Sequence, residues 1–190
     1  MSGWLKKRRI MRRYDLTAEM YDMRYAEEQA AKIKAALRHV RIKEDDWILD
    51  VGCGTGILFN YLPDKLNLIV GVDISKKTLL QAKQLAREKR VMNAQPVQAD
   101  ADNLPFGQNV FGKVFIMTVL QNSPDPARTL TEIKRVGTGN AVFVVTGLKS
   151  VFRKSTFVKL LRKVKMKKIA FEEENLKCYV EVCTVAYDNK

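Results

Sequence analysis

Cysteine is scarce and histidine scarcer: the 190 residues hold three of the first, Cys53, Cys178 and Cys183, and one of the second, His39. An odd number of cysteines without paired CxxC spacing excludes a disulfide scaffold and a structural zinc site, so no metal is expected. Cys178 and Cys183 read as small apolar residues of a sheet, and His39 as an ordinary surface residue. Long apolar runs are missing as well. Nothing approaches the ~20 residues that cross a bilayer, and the basic start Lys6-Lys7-Arg8-Arg9 leads into no signal-peptide core. These absences predict a cytoplasmic protein in a reducing compartment, with no membrane partner. Acidic residues vanish between Glu132 and Glu172, an interval crowded with lysine and arginine.

What is present is a globular composition with an unusual charge. Hydrophobic residues make up 46% of the chain, and 34 Lys and Arg outnumber 21 Asp and Glu to leave +13 at pH 7. That length suits one domain, and that excess speaks about anionic partners rather than fold. A basic arm ending near residue 16 and a helix over 17–37 form an N-terminal extension (1–40) to a core over 45–190. In the core, short apolar runs at 47–51, 68–73, 95–99, 114–120 and 141–146 read as strands. Helical patterns over 76–90, 126–135 and 155–165 lie between and after them. Ser75 stands where it would cap the first of these helices. Such alternation predicts an α/β fold, a mostly parallel sheet with helices on both faces. The stretches 167–173 and 177–186, joined by the polar turn Glu174-Asn175, predict a closing antiparallel hairpin.

The chemistry concentrates at strand ends. Asp50-Val51-Gly52-Cys53-Gly54-Thr55-Gly56 falls where a buried strand turns, and its glycines allow a sharp turn and a close ligand. The spacing is GxGxG rather than GxGxxG, and no Gly-Lys-Ser/Thr follows to hold a nucleotide's phosphates. Asp73 ends the second strand, 17 residues past Gly56, where a carboxylate can accept both hydroxyls of a ribose. Asp100 ends the third. An acidic rim of this kind suits a ligand bearing ammonium, sulfonium and ribose hydroxyl groups.

With Leu49-Asp50-Val51-Gly52-Cys53-Gly54-Thr55-Gly56, Gly71-Val72-Asp73-Ile74-Ser75 and Ala99-Asp100-Ala101-Asp102-Asn103-Leu104-Pro105-Phe106, the chain resembles the class I S-adenosylmethionine-dependent methyltransferase family from Trp47 onward. The resemblance implies a Rossmann-like seven-stranded sheet of order 3-2-1-4-5-7-6 with the last strand antiparallel. It implies S-adenosylmethionine as cofactor, with Gly52 and Gly54 at its methionine end and Asp50, Cys53 and Gly56 in the same loop. Asp73 and Ile74 would hold the ribose, Asp100 and Ala101 the adenine, and Thr118 would line the crevice. Tyr14, Tyr21 and Tyr25 of the N-terminal helix would close over the cofactor, or simply pack that helix.

The acceptor side is Gln121-Asn122-Ser123-Pro124-Asp125-Pro126. Relatives that methylate exocyclic amines of bases carry Asn/Asp/Ser-Pro-Pro-aromatic here. This chain offers Asn122, Ser123 and Pro124, with Asp125 in place of the second proline and Tyr21 or Tyr25 as a stacking face. No cysteine lies between Cys53 and Cys178 to serve as the nucleophile of carbon-5 pyrimidine methylation. A helical stripe of Arg153, Lys154, Lys159, Arg162 and Lys163 would meet a polyanion. The expectation is an RNA base methyltransferase acting on rRNA or tRNA. A small-molecule methyltransferase like those of quinone biosynthesis, and a non-catalytic cofactor-binding scaffold or partner of a small activator protein, remain as alternatives.

Overall fold

Ile48, Leu49 and Val51 are fully buried on alternate sides of one short strand, as period-2 geometry requires when both faces of a sheet are covered. A computed structural model describes residues 3–63, 65–91 and 93–185, the side chains of 19–24 excepted. The elements run α1 (Gly3–Leu37), β1 (Trp47–Val51), β2 (Leu68–Asp73), α2 (Lys76–Glu88), β3 (Ala94–Gln98), β4 (Phe111–Ile116), α3 (Pro126–Val136), β5 (Gly137–Leu148), α4 (Lys154–Lys163), β6 (Met166–Glu172) and β7 (Cys178–Val185). A 3-10 turn, Ile57–Tyr61, follows the glycine-rich turn after β1. The sheet order is β3-β2-β1-β4-β5-β7-β6, with β7 antiparallel to both neighbours. The expected fold is therefore the observed one.

Two apolar layers sandwich the sheet. Leu49, Val72, Leu130, Ile133, Phe157 and Leu161 belong to the layer under α3 and α4. Ile48, Ile69, Phe115, Val144, Ile33 and Ala82 belong to the layer under α1 and α2. Ser75 caps α2, its hydroxyl accepting from the Thr78 amide. Asp125 does the same for α3, accepting from the amides of Ala127 and Arg128. Gly137 begins β5 directly after α3, and the β4–β5 register shifts between Phe111 and Lys113. Among the described residues no helix is long and apolar enough to cross a membrane.

Most boundaries move by one to three residues, and the instructive departures are in α1, β4 and β5. The basic arm is not an arm: α1 is continuous from Gly3, because neither glycine nor proline interrupts residues 4–37 and Lys, Arg, Met and Leu are good helix formers. β4 stops at Ile116 rather than at residue 120, because Thr118 turns the chain at φ 65. β5 is longer than 141–146. The expected end of the last strand, Ala186, lies outside the described residues. The free thiols of Cys178 and Cys183 are buried in β7, and burial pushes both upward, Cys178 to about 11. His39 reaches Glu172 Oε1 at 2.7 Å and ties the end of α1 to β6, a structural role.

Phe157 holds α4 to the sheet, its ring stacked on Tyr179 at 5.7 Å between centroids and closing over Gly147. Replacing it with Ala should lower the unfolding free energy in urea by about 3–5 kcal/mol, the usual cost of emptying an aromatic core site.

Candidate functional site

The site forms where strand order reverses. β1 pairs in parallel with both β2 and β4, so the crossovers leaving their carboxyl ends part to opposite faces and open a crevice. The chain leaves β1 through the glycine loop. Gly52, at φ 72, faces Val119, whose side chain a Cβ would meet at 2.4 Å, so only glycine fits. Gly54 differs. At φ 55 it has no atom within 4 Å of a would-be Cβ, leaving a cradle in the cleft wall. Gly56 lies outside that wall and starts the 3-10 turn instead.

Carboxylates surround the cradle. Asp50 is 3% exposed, and burial together with the charge of Asp73 raises its pKa to about 7. Burial raises Asp73 as well, countered by the amides of Ser75 and Gly54, which donate to its two oxygens at 2.8 and 3.0 Å. Ile74, Ala101 and Cys53 line the same cleft. Asp100 and the neighbouring Asp102 form its far end, and there the structure holds something the sequence reading missed. The Lys7 ammonium donates to both oxygens of Asp100 at 2.7 Å and to Asp102, which also accepts from the Thr129 hydroxyl.

α1 roofs the cleft, with Lys7, Ile10, Tyr14, Gln29 and Ile33 along its inner side. Extending the helical period back through the basic residues would have placed Lys7, Ile10 and Tyr14 on one face, i, i+3 and i+7. Tyr14 is the expected aromatic that reaches the site. Tyr25 is 39% exposed and outside the cleft wall, and the side chain of Tyr21 lies outside the described residues.

The loop after β4 brings Asn122, Ser123 and Pro124 into the cleft wall, with the side-chain polar groups of the first two already engaged. Asn122 Oδ1 accepts from Arg13 at 3.1 Å, and its Nδ2 donates to Tyr14 Oη at 3.0 Å. Ser123 Oγ lies 2.7 Å from Thr129 Oγ1 and accepts from the Asp125 amide. Thr118, strained for a β-branched residue at φ 65, is clamped: its amide donates to Thr146 Oγ1, and its hydroxyl meets Gln29 and the buried Lys32. Arg153, Lys154, Lys159, Arg162 and Lys163 are exposed, yet none lines the cleft. Lys154 also pairs with Glu173.

These residues fit the expected donor. An open cradle at Gly54, two buried carboxylates disfavoured as anions, and acceptors at a third strand end suit a ligand with cationic, diol and amine groups. A sheet of order 3-2-1-4-5-7-6 with its cleft at the reversal is the class I S-adenosylmethionine-dependent methyltransferase architecture. The methyltransferase-domain model matches residues 49–145, just over half of the sequence, and the chain belongs to that family.

Among its relatives, an uncharacterized protein of Methanocaldococcus jannaschii is 30% identical over 164 residues, covering 86% of this chain and 61% of that protein. A demethylmenaquinone methyltransferase of Staphylococcus saprophyticus is 36% identical over 106 residues, covering 54% of this chain and 45% of that protein. The chain thus spans between 45 and 61% of the length of these two relatives. In fold it is similar to a chain from the complex of the Haloferax volcanii Trm112 methyltransferase activator with a methyltransferase. That match has a TM-score of 0.78 and 16% identity, and covers 92% of this chain and 98% of that one.

Two outcomes check the donor site. Asp73→Ala should weaken S-adenosylmethionine binding in calorimetry by at least about tenfold, since hydrogen bonds to a charged group are worth ~1.5–3 kcal/mol. A cationic ligand favours ionised Asp50. Donor affinity should therefore rise as pH goes from 5.5 to 7.5, with proton release below about 7, and Asp50→Asn should flatten the profile. In the donor-free protein the sign is opposite. A carboxyl raised on folding contributes stability at low pH that is lost as pH climbs from its unfolded value toward about 7.

Proposed function

We propose that this chain is an S-adenosylmethionine-dependent methyltransferase whose acceptor is a base of a structured RNA, such as rRNA or tRNA. When bound, the donor supplies an electrophilic methyl group on a sulfonium, and the protein's task is placement and exclusion of water. Gly52 and Gly54 give close backbone approach, Asp73 accepts from the ribose hydroxyls, and Asp50 offsets positive charge. Asn122 and the Ser123 carbonyl stand at the acceptor side; Asn122 Oδ1 and that carbonyl already accept from Arg13 and Lys6.

The observation that carries the RNA reading is the outer face of the roof. Arg8, Arg9 and Arg12 form one row of α1 beside Leu5, all on the surface directly above the cleft, and none has an acidic partner among the described residues. Trp4, 57% exposed next to that row, offers a stacking face. The α4 stripe adds a second basic surface. The Haloferax likeness supports a small activator subunit as a partner.

A second reading rests on the roof itself. A small acceptor needs a cover over the pocket that excludes water, and α1 roofs the cleft. The demethylmenaquinone methyltransferase relative points the same way.

One experiment separates the two. RNA from cells lacking the gene is incubated with protein and isotope-labelled donor and analysed by nucleoside mass spectrometry, beside a panel of quinols and phenols. Label in one methylated nucleoside is the expected result; label confined to a quinol or phenol overturns the RNA reading. RNA affinity should also fall with salt, by a log–log slope of ~0.7–0.9 per phosphate contact. Changing Arg153, Lys159, Arg162 and Lys163 together to Gln should reduce that slope and leave donor affinity unaltered.

A further inference from the structure

α1 is one helix mechanically divided in two. Its rear half is anchored: Ile33, Ala35 and Ala36 are buried, and Lys32, 1% exposed, is paired with Glu28 at 2.8 Å. Its front has no buried residue before Ala18. What holds the front down is polar. Lys6 donates to the Ser123 carbonyl, Lys7 to Asp100 and Asp102, Arg13 to Asn122, and Ser75 donates to Asp15 at 2.6 Å. Such contacts are individually weak in net terms and exchange readily for water, unlike the apolar burial behind them.

The pair made by Lys7 stands out. Its side chain is 14% exposed and Asp100's 22%, so the ammonium sits within the cleft rather than on its lip. Both Asp100 oxygens accept from it, and one also accepts from the Asp102 amide at 3.0 Å. By the donor-site reading above, on which this inference rests, Asp100 is the carboxylate that receives an adenine amine.

We propose that the front of α1 is a latch on the donor pocket: Lys7 occupies, as an internal ammonium, the acceptor positions on Asp100 that the donor's adenine amine uses. Donor binding and the Lys7–Asp100 pair are then mutually exclusive. Entry of the donor breaks the pair, and residues 3–16 lose their strongest tie to the core. The donor-competent state is only a fraction of the free protein, which weakens apparent affinity by that fraction.

The test compares wild-type and Lys7→Gln protein by donor calorimetry and by hydrogen exchange of the amides of residues 3–16. Lys7→Gln should bind S-adenosylmethionine about tenfold more tightly. Its donor-free exchange over 3–16 should rise to the level that donor produces in wild type. Unchanged or weaker donor affinity in Lys7→Gln overturns the latch. Tighter binding without faster exchange overturns it too, since Lys7 would then act through charge alone. Wild-type affinity that Asp73→Ala does not alter would instead refute the donor-site reading, so the two failures are distinguishable.

Discussion

Parallel pairing of β1 with strands on both sides is the constraint from which the site follows. β2 and β4 flank it in the same direction, so Asp50, Asp73 and the turn at Thr118 arrive at one edge of the sheet. The crossovers beyond must diverge, and a chain leaving a buried strand into that gap has to bend at once. Glycine is the residue that bends there at positive φ without losing space, which is why Gly52 and Gly54 stand in the cleft wall. Nothing in this depends on the surface; it is set by strand order and by apolar layers on both faces.

That geometry crowds like charges, and the protein answers each in a different way. Asp50 is raised by burial and by Asp73; Asp73 is raised too, with two backbone amides softening the cost. Asp100 and Asp102 are met by an ammonium from another element. Far from the cleft the chain carries a strong positive excess, +13 in all. A cationic ligand is thus favoured inside the crevice and an anionic surface outside it, and the two preferences do not compete because burial and distance separate them.

The strands and the glycine turn were legible in the sequence through short-range signatures, the apolar run at 47–51, the cap at Ser75 and the glycines after Asp50, whereas the strand order came only with the resemblance to a family. Thr118 shows where such signatures end. Its apolar neighbours read as strand through residue 120, while the strain at φ 65 is imposed from outside, by Thr146, Gln29 and Lys32. The helical period could have put Lys7 on the inner face of α1, but its partner was beyond reach for a related reason. A run of basic residues looks alike whether solvated or inserted, and only the 93 positions separating it from Asp100 in sequence, closed by folding, reveal which. Asp125 was noted as a departure from an acceptor motif; as the cap of α3 it has a local reason to be there.

The roof now governs what the acceptor can be. Because its rear is fixed by buried apolar residues and its front by exchangeable polar contacts, any opening occurs over the Asp100 end and the acceptor loop, not over Gln29 and Ile33. That is the end carrying, on its outer side, the arginine row that has no acidic partner among the described residues. A bulky polyanion drawn to Arg8, Arg9 and Arg12 would engage the same turns whose inner side holds Lys7 in the cleft, so surface binding and access to the donor would be properties of one helix. A small neutral acceptor gains nothing from that arrangement, since it neither pairs with the row nor needs the front raised beyond its own width. On physical grounds the two-sided helix therefore weighs toward a large anionic substrate, even though a roofed cleft alone would suit a small one.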